Sequence, residues 1–269
     1  MISESNRQHH IDKRFDSDEI ESNLSNNYFL RVSAKEKKFK KVDFKYSFFD
    51  DGYFRKCVFD SCDFTGCRFS SVNFESSSFI GCKFDYATFE KTNIDSTILD
   101  NNCPSYENLK LKFARSLRVN FSQIGDPQAV NKAIKVELDA TEIHLRKSWN
   151  SNDVYYRSKY TGLHRARMFA EWLKFKLSDF GWGNGENLFK LLRTTAIIIV
   201  LMMFYDVLFY KDNSIINSYW QSLLEIPSIF LGATSPEYYP TLYLGLIVFI
   251  RLVTLGLFVA IMVKRLNRR

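Results

Sequence analysis

The sequence is poor in the residues that build catalytic centres. It contains only four histidines, and they are scattered along the chain: His9, His10, His144 and His164. No Cys/His pair, Ser/His/Asp set or phosphate-binding loop accompanies them. We therefore expect no enzymatic activity and no cofactor.

A signal peptide is also missing. The first 38 residues carry seven Lys/Arg against seven Asp/Glu and lack an apolar core, so we expect the N-terminus to stay in the cytoplasm. Residues 104–193 carry 16 Lys/Arg against nine Asp/Glu, residues 211–241 one against three, and the end of the chain adds Lys264, Arg265, Arg268 and Arg269. This pattern places both termini on the cytoplasmic side of a membrane.

Nucleic-acid binding is not expected either. The net charge is +7 and the pI about 9.0, but no basic and aromatic binding module accompanies the charge. The excess of positive charge flanks two apolar runs, 191–210 and 242–263. Each run is about long enough to cross a bilayer as a helix. The sequence predicts a multi-pass protein of the inner membrane, with spans at 189–211 and 241–264, a basic tail at 265–269 and the lipid bilayer as a partner.

A five-residue period dominates residues 39–99. Phenylalanine occupies every fifth position from 39 to 89, and Ile94 and Leu99 continue the register. Two residues before each centre the side chain is mostly small, as at Ser47, Gly52 and Ala87. Neither a helix nor a flat strand buries a period of five on one face. A coil in which each quintet forms one side does, and such repeats bury a core by stacking.

This pattern resembles the pentapeptide-repeat family, in which a central Leu or Phe follows a small residue two positions earlier, often with Asp or Asn between them. Four residues match that intermediate position: Asp43, Asp63, Asn73 and Asn93. The resemblance implies a right-handed, four-sided β-helix over residues 37–103, preceded by a polar segment, 1–36. Thirteen centres predict a little over three coils.

Two functional interpretations of the repeat are disfavoured. Four cysteines occupy its small inward position, which favours buried thiols over a metal site because zinc sites prefer closer spacing and no histidine lies nearby: Cys57, Cys62, Cys67 and Cys82. Cys103 is also predicted to be structural. Some pentapeptide rods mimic DNA, but residues 39–103 are nearly balanced, with eight positive and ten negative charges. A surface for a cytoplasmic protein partner is the favoured interpretation.

A cytoplasmic helical linker is predicted for residues 104–188. One helix is expected to end at Gly125, and Asp126 and Pro127 begin a second. In the second helix a seam of alternating 4 and 3 spacing predicts packing on a neighbour: Ala129, Ala133, Val136, Ala140 and Ile143.

A basic, aromatic segment, 155–180, comes next. It either lies along the inner leaflet or packs on the hairpin with a solvated basic face. Residues 181–185, rich in glycine, are predicted to be a flexible joint before the first span.

Between the spans, residues 212–240 are too apolar for a plain external loop. A short helix that dips into the membrane and returns, at about residues 218–236, is one solution. Pro227 is expected to break or shorten that helix unless it starts a second turn. Span, re-entrant loop and span resemble the two-transmembrane ion-channel pore, in the order found in bacterial proteins that join pentapeptide repeats to that pore. The resemblance implies an oligomer, with a tetramer favoured, and pore or selectivity residues at Leu231, Gly232, Ala233, Thr234 and Ser235. Potassium channels carry Thr-Val-Gly-Tyr-Gly at this point, so potassium selectivity is not implied.

Each span contains one charge, Asp206 in the first and Arg251 in the second. Such residues face protein or water and are functional candidates, although snorkelling or a contact between helices is an equal alternative. A direct pair requires tilt, because Arg251 is expected to lie roughly 9 Å deeper. An arginine in a pore favours anions.

Three hypotheses follow. The first is an oligomeric channel with a cytoplasmic rod for assembly or sensing. The second is a membrane-tethered scaffold, and the third is a stress or phage-defence effector that permeabilises its own membrane.

Overall fold

The five-residue period of the sequence is also the period of the structure. The computed structural model describes residues 7–212 and 215–267. Within residues 27–94 most centres and small positions are buried, while the other three positions of each quintet reach the surface. Four quintets make one coil, so Phe29 pairs with Phe49, and Phe49 with Phe69. The predicted β-solenoid is confirmed, with about four turns.

Short parallel strands form three sides of the solenoid. The first side consists of β1 (Gln8–Ile11), β4 (Asn27–Leu30), β7 (Phe48–Asp50), β10 (Arg68–Ser70) and β12 (Thr88–Glu90). The second consists of β2 (Arg14–Phe15), β5 (Ser33–Lys35) and β8 (Tyr53–Arg55), and the third of β3 (Glu19–Ile20), β6 (Lys38–Lys40), β9 (Val58–Asp60) and β11 (Ser78–Ile80). Single bridges between Asn23, Asp43, Asp63 and Lys83 form the fourth side.

Columns of phenylalanine fill the interior. Phe64 stacks between Phe44 and Phe84, with both centroid distances 5.1 Å and interplanar angles of 3° and 12°. Neighbouring columns meet edge to face, as for Phe59 and Phe64 at 5.6 Å and 67°. Aromatic pairs of these kinds each add about 0.5–1.5 kcal/mol beyond the burial of apolar area. The core is therefore continuous from coil to coil.

The cysteines of the repeat are buried, as predicted. Cys62, Cys67 and Cys82 each donate a thiol hydrogen bond to a backbone carbonyl 23 residues earlier, with Sγ to oxygen distances between 2.9 and 3.3 Å. Burial raises the pKa of the Cys67 thiol well above its usual range. Cys67 is therefore a core group of low reactivity. Cys103 is half-buried and donates to the carbonyl of Leu99.

The solenoid begins earlier than predicted. Residues 1–36 were expected to be a polar segment, but strands β1 to β5 lie within it, and Phe15 and Phe29 are core residues. The first coil is one residue shorter than the others, because Phe15 pairs with Ala34, 19 positions on, whereas Glu19 pairs with Phe39, 20 positions on. This shift breaks the five-residue register before Glu19. From Glu19 to Phe39 the register holds, but Leu24 and Ala34 stand in place of phenylalanine, so the predicted count of coils was too low.

Helices close the C-terminal end of the solenoid: α1 (Ile98–Asn101), α2 (Glu107–Ile124) and α3 (Pro127–Asn150). Leu99, predicted to be the last centre of the repeat, lies in α1 and is buried there. The ring of Phe113 in α2 lies 5.7 Å from Phe84 and 5.9 Å from Phe89. An apolar lid therefore replaces the next coil.

Side chains of this lid also bind the open strand edge. The buried amide of Asn120 accepts from the backbone N–H of Thr92 and donates to its carbonyl, both at 2.7 Å. Asn102 does the same for the N–H of Cys82 and the carbonyl of Phe79. Such pairing removes the unsatisfied edge that would otherwise recruit another strand.

The predicted helical hairpin is confirmed. Gly125 ends α2 in the left-handed conformation with φ of 75°, and the Asp126 carboxylate caps α3 by accepting from the N–H of Ala129 at 2.9 Å. Ala133 and Ala140 of the predicted seam are fully buried. Small residues let the two helices pack closely.

The basic, aromatic segment forms α4 (Val154–Lys159) and α5 (Gly162–Trp182), followed by a 3-10 turn, Gly183–Gly185. Gly181 and Trp182, predicted to belong to a flexible joint at 181–185, instead continue the helix. Near this segment His144 of α3 lies 3.4 Å from the hydroxyls of both Tyr156 and Tyr160.

The chain divides into two compact units, Met1–Phe169 and Ala170–Arg269. The second contains α6 (Leu188–Tyr210), α7 (Ile216–Leu231) and α8 (Thr241–Leu266). The two predicted spans coincide with α6 and α8, which are long and apolar enough to cross a membrane. The expected break at Pro227 is wrong, since α7 stays helical through it. Arg268 and Arg269 of the predicted basic tail lie outside the described residues.

Candidate functional site

Asp206 is the centre of a buried polar cluster near the end of α6. Its carboxylate is 1% exposed and accepts hydrogen bonds from Ser222 of α7 at 2.6 Å and from Tyr239 at 2.7 Å. Tyr238 is a more distant donor, at 3.5 Å. The cluster therefore ties α6, α7 and the approach to α8 together around one carboxylate.

Lys211, directly after α6, supplies the opposing charge. Its ammonium lies 3.3 Å from the carboxylate of Asp206 and 2.7 Å from that of Glu225 in α7. Because the Lys211 side chain is 20% exposed, the ion pair reaches from the interior to the surface. A buried carboxylate persists only when it is paired and hydrogen-bonded in this way.

The other end of α7 is defined by a glycine. Gly232 adopts the left-handed conformation with φ of 83°, and its N–H and that of Ala233 close the helix on the carbonyls of Ile229 and Ser228. Glycine is the residue that takes this conformation without steric cost. Residues 232–240 then run back to the start of α8 without helix or strand.

Arg251 of α8 lies against this end of α7. A methyl group placed on Gly232 would lie 1.8 Å from Nη1 of Arg251, so the guanidinium occupies the space that a larger residue would need. The C-terminal end of a helix carries partial negative charge, and a cation there is favourable. Arg251 is therefore a contact between helices and does not pair with Asp206, which has Lys211 instead.

The contacts also show how far α7 extends along its neighbours. Arg251 is the eleventh residue of α8, about 15 Å from its start. Phe230 of α7 packs in one cluster with Met202 and Ile247, and Met202 lies about 12 Å before the end of α6. The C-terminal end of α7 thus reaches roughly the middle of both long helices.

A small apolar cleft of about 220 Å³ lies where these helices meet. Its wall is formed by side chains of all three helices: Ile198, Leu201, Met202, Tyr205, Phe230, Tyr243, Leu246, Ile247 and Ile250. Its lining is almost entirely apolar, although Tyr205 and Tyr243 each carry a hydroxyl.

The five predicted pore residues lie together at the end of α7, and all are exposed. Leu231 is 67% exposed, and Gly232 lies against another predicted residue, Arg251. Ala233, Thr234 and Ser235 form a short polar segment that the described part of the chain leaves uncovered. A single copy therefore presents these residues without enclosing them.

Large apolar faces of α6 and α8 are uncovered too. Leu242 is 90% exposed, and Phe249, Leu252 and Val259 are about 60% exposed. A core helix of a water-soluble domain buries such residues. Contiguous apolar surface of this extent indicates contact with lipid or with further chains.

Two members of the polar cluster were not foreseen from the sequence. Lys211 was counted only as a loop charge, and Tyr239 was not considered. A signal did exist, since a carboxylate inside a span requires a nearby cation or several donors. The pairing itself depends on how the segments fold back, which no local pattern encodes.

Comparison with known proteins assigns the N-terminal region. Residues 38–75 and 62–101 match the family described as Pentapeptide repeats (8 copies). This region is a pentapeptide-repeat β-solenoid. The match ends at residue 101, the last residue of α1, and it leaves the helical unit with its two long apolar helices unassigned. No curated protein matches the chain.

Two solved structures of QnrB1, described as a plasmid-mediated fluoroquinolone resistance protein, are similar to parts of this chain. Both are trypsin-treated variants with 13% sequence identity. They cover 32% and 34% of this chain with TM-scores of 0.22 and 0.18, and the chain spans 56% and 64% of their length. We draw no argument from similarity at this level.

Proposed function

We propose that the chain is an oligomeric membrane channel. In this proposal α6 and α8 cross the inner membrane, α7 enters the membrane and the return segment 232–240 leads back out. The two termini lie in the cytoplasm, where the pentapeptide-repeat solenoid serves assembly or sensing.

One observation carries the proposal: the end of α7 packs at Gly232 against Arg251, near the middle of α8. If α8 spans the bilayer, this contact puts the end of α7 and the start of the return segment at mid-depth. Non-helical backbone at that depth is tolerated only where it is buried in protein or lines water. Because one copy leaves Thr234 and Ser235 uncovered, their partners are supplied by other copies around a central path.

The oligomer follows from the same reasoning. Short polar segments from several copies, arranged around an axis, enclose a path that one copy cannot form. By resemblance to two-span pores we favour a tetramer. The exposed apolar faces of α6 and α8 are then shared between lipid and neighbouring copies.

The charge of Arg251 favours anions. A guanidinium at mid-depth raises the barrier to a cation and lowers that to an anion. The remaining carboxylate of the spans, Asp206, is neutralised by Lys211, so it adds no attraction for cations. The pathway is therefore proposed to conduct small inorganic anions.

Ion flux in reconstituted liposomes tests this function. The full chain is reconstituted, and chloride and potassium fluxes are measured separately with ion-sensitive dyes. We expect chloride flux that falls in Arg251→Gln and shifts toward cations in Arg251→Glu, with Thr234→Ala changing the rate. Gly245→Ala is the matched control, because a methyl group there contacts nothing. Liposomes that stay tight to all ions under every condition would refute the channel.

A membrane-tethered scaffold is the second candidate, supported by the solenoid surface. Residues 7–97 carry 15 Lys/Arg and 15 Asp/Glu, a balanced surface that suits a protein partner better than nucleic acid. A scaffold predicts that replacing residues 186–267 with an unrelated anchor preserves partner capture and any cellular phenotype. A channel predicts that this replacement abolishes the phenotype.

A further inference from the structure

We propose that the C-terminal part of α5, residues 170–182, is a binding surface for anionic phospholipid at the cytoplasmic face of the membrane. The inference requires that α6 and α8 insert in a bilayer, but it does not depend on ion conduction. A failure of the flux experiment therefore leaves it standing.

An exposed apolar stripe is the first observation. Leu173, Leu177 and Phe180 follow one another at spacings of four and three, which places them on one face of the helix. They are 42%, 62% and 54% exposed. A stripe at helical spacing usually packs into a core, so an uncovered stripe of this kind calls for an apolar environment.

The orientation of this stripe is fixed by the opposite side of the helix. Trp172 and Phe175 are half-buried, and both carboxylate oxygens of Asp179 accept from the ammonium of Lys190 in α6 at 2.7 Å. Helix α5 is therefore attached to the start of α6 through the side opposite the stripe. The apolar stripe cannot turn inward without breaking that ion pair.

Cations border the stripe. Lys174 is exposed on one side of it and Lys176 lies on the other. Arg193 of α6 places its guanidinium 4.4 Å from the ring centroid of Phe180 and donates to the carbonyl of that residue. An apolar stripe bordered by lysine and arginine is the composition of a helix that lies in the headgroup region, with the long side chains reaching phosphate.

The position of the stripe along the chain fits the same interpretation. Only five residues separate Trp182 from Leu188, the first residue of α6. The ammonium of Lys264, near the end of α8, pairs with Glu186 in that connection, so the adjoining ends of α6 and α8 meet there. The stripe therefore lies close to the ends of α6 and α8, where both long helices leave the apolar layer of the membrane.

The charges select lipid over a second copy of the chain. Two copies joined through this stripe would bring Lys174 and Arg193 of each close to the cations of the other, and like charges in such contacts are unfavourable. Anionic headgroups supply the opposite charge and attract basic residues near the membrane surface.

Spin-label accessibility in nanodiscs tests the surface. The full chain, with Cys103→Ser to remove the half-buried thiol, receives a label at Leu177→Cys or, as the matched control on the exposed polar face of α5, at Glu171→Cys. We expect the label at 177 to collide mainly with oxygen and the label at 171 mainly with a water-soluble nickel complex. The contrast is expected to be larger in discs containing phosphatidylglycerol than in phosphatidylcholine alone.

Charge reversal tests the anionic requirement. Lys174→Glu with Lys176→Glu is expected to lower the oxygen collision rate at 177 in phosphatidylglycerol discs, whereas Lys38→Glu with Lys40→Glu on the solenoid leaves it unchanged. A label at 177 that is accessible to nickel in both lipids overturns the proposal. So does a label shielded from both reagents, since protein then covers the stripe, or a response that ignores lipid charge.

Discussion

The guanidinium of Arg251 occupies the space beside the α-carbon of Gly232, where α7 ends. The contact joins a left-handed glycine, at φ of 83°, to a charge in the middle of a long apolar helix. The contact explains both residue types. Glycine permits the left-handed turn and the close approach of the guanidinium, and the partial negative charge at the C-terminal end of α7 favours the cation.

Replacing Gly232 with alanine is expected to destabilise the helical unit. The left-handed conformation alone costs an alanine roughly 1–2 kcal/mol, and the added methyl group also displaces Arg251. Thermal unfolding of the full chain in detergent should show a lower Tm. Adding Arg251→Ala should recover the steric part of the loss but not the conformational part. Gly245→Ala in α8, where a methyl group meets nothing within 4 Å, should leave the Tm equal or higher, since alanine favours helix.

Removing the carboxylate of Asp206 is expected to be costly. Asp206→Ala leaves Ser222 and Tyr239 without an acceptor and Lys211 without one of its two partners, and loss of one member of a buried pair costs about 3–5 kcal/mol. Asp206→Asn keeps an acceptor and should lose less. Chemical unfolding of both variants measures the difference. Glu225→Gln affects the exposed half of the same network and should cost about 0–1 kcal/mol; an equal loss for all three variants would contradict the central role of Asp206.

Two glycines at corners of the solenoid make a matched pair. Gly66 and Gly81 both have positive φ, of 70° and 61°, but a methyl group on Gly66 would lie 2.6 Å from the ring of Tyr46, while on Gly81 it meets only Ser61 at 3.9 Å. We expect Gly66→Ala to lower the Tm of the solenoid more than Gly81→Ala. In a Tyr46→Ala background the Tm values of Gly66→Ala and Gly81→Ala should lie closer together. A larger loss of Tm for Gly81→Ala than for Gly66→Ala would contradict this explanation.

The N-terminal unit is expected to lose stability in mild acid through His144. Burial, assisted by Lys159 and opposed by Glu107, lowers the pKa of His144 below 6.5. Below about pH 6.5 the unfolded chain therefore binds a proton at His144 that the folded chain does not bind. The contribution of His144 to the free energy of unfolding is complete above that pH and falls as the pH decreases. Unfolding between pH 7.5 and 5.5 should show the decline, and His144→Gln should reduce it. A smaller decline should remain, because burial and Lys13 also lower the pKa of His10. The exposed His9→Gln serves as a control and should leave the slope unchanged.

Regular parts of the fold were predictable because one local rule repeats. The positions of Phe39 to Phe89, the inward cysteines and the cap at Gly125 and Asp126 each follow from spacing or from a single backbone preference. The N-terminal coils escaped prediction for two reasons: Leu24 and Ala34 stand where phenylalanine is expected, and one residue is missing between Phe15 and Glu19.

The helical unit was predictable in outline only. Hydropathy places α6 and α8 to within a few residues, because apolar length is itself the signal. The partners of Asp206 and Arg251 are set by packing among three helices and a return segment. The predicted break at Pro227 was wrong for a related reason. The packing of α7 on its neighbours outweighs the free-energy cost of the one backbone hydrogen bond that proline removes.

The lid that α2 places on the last coil makes the length of the solenoid adjustable. Because Asn120 and Phe113 bind the final coil alone, insertion or removal of 20 residues in the middle leaves their contacts intact. Each such change lengthens or shortens the rod by one strand spacing, about 4.8 Å. Chains that differ by whole coils should therefore hold a partner bound at the N-terminal end at different distances from α2. These distances should differ by about 4.8 Å for each coil.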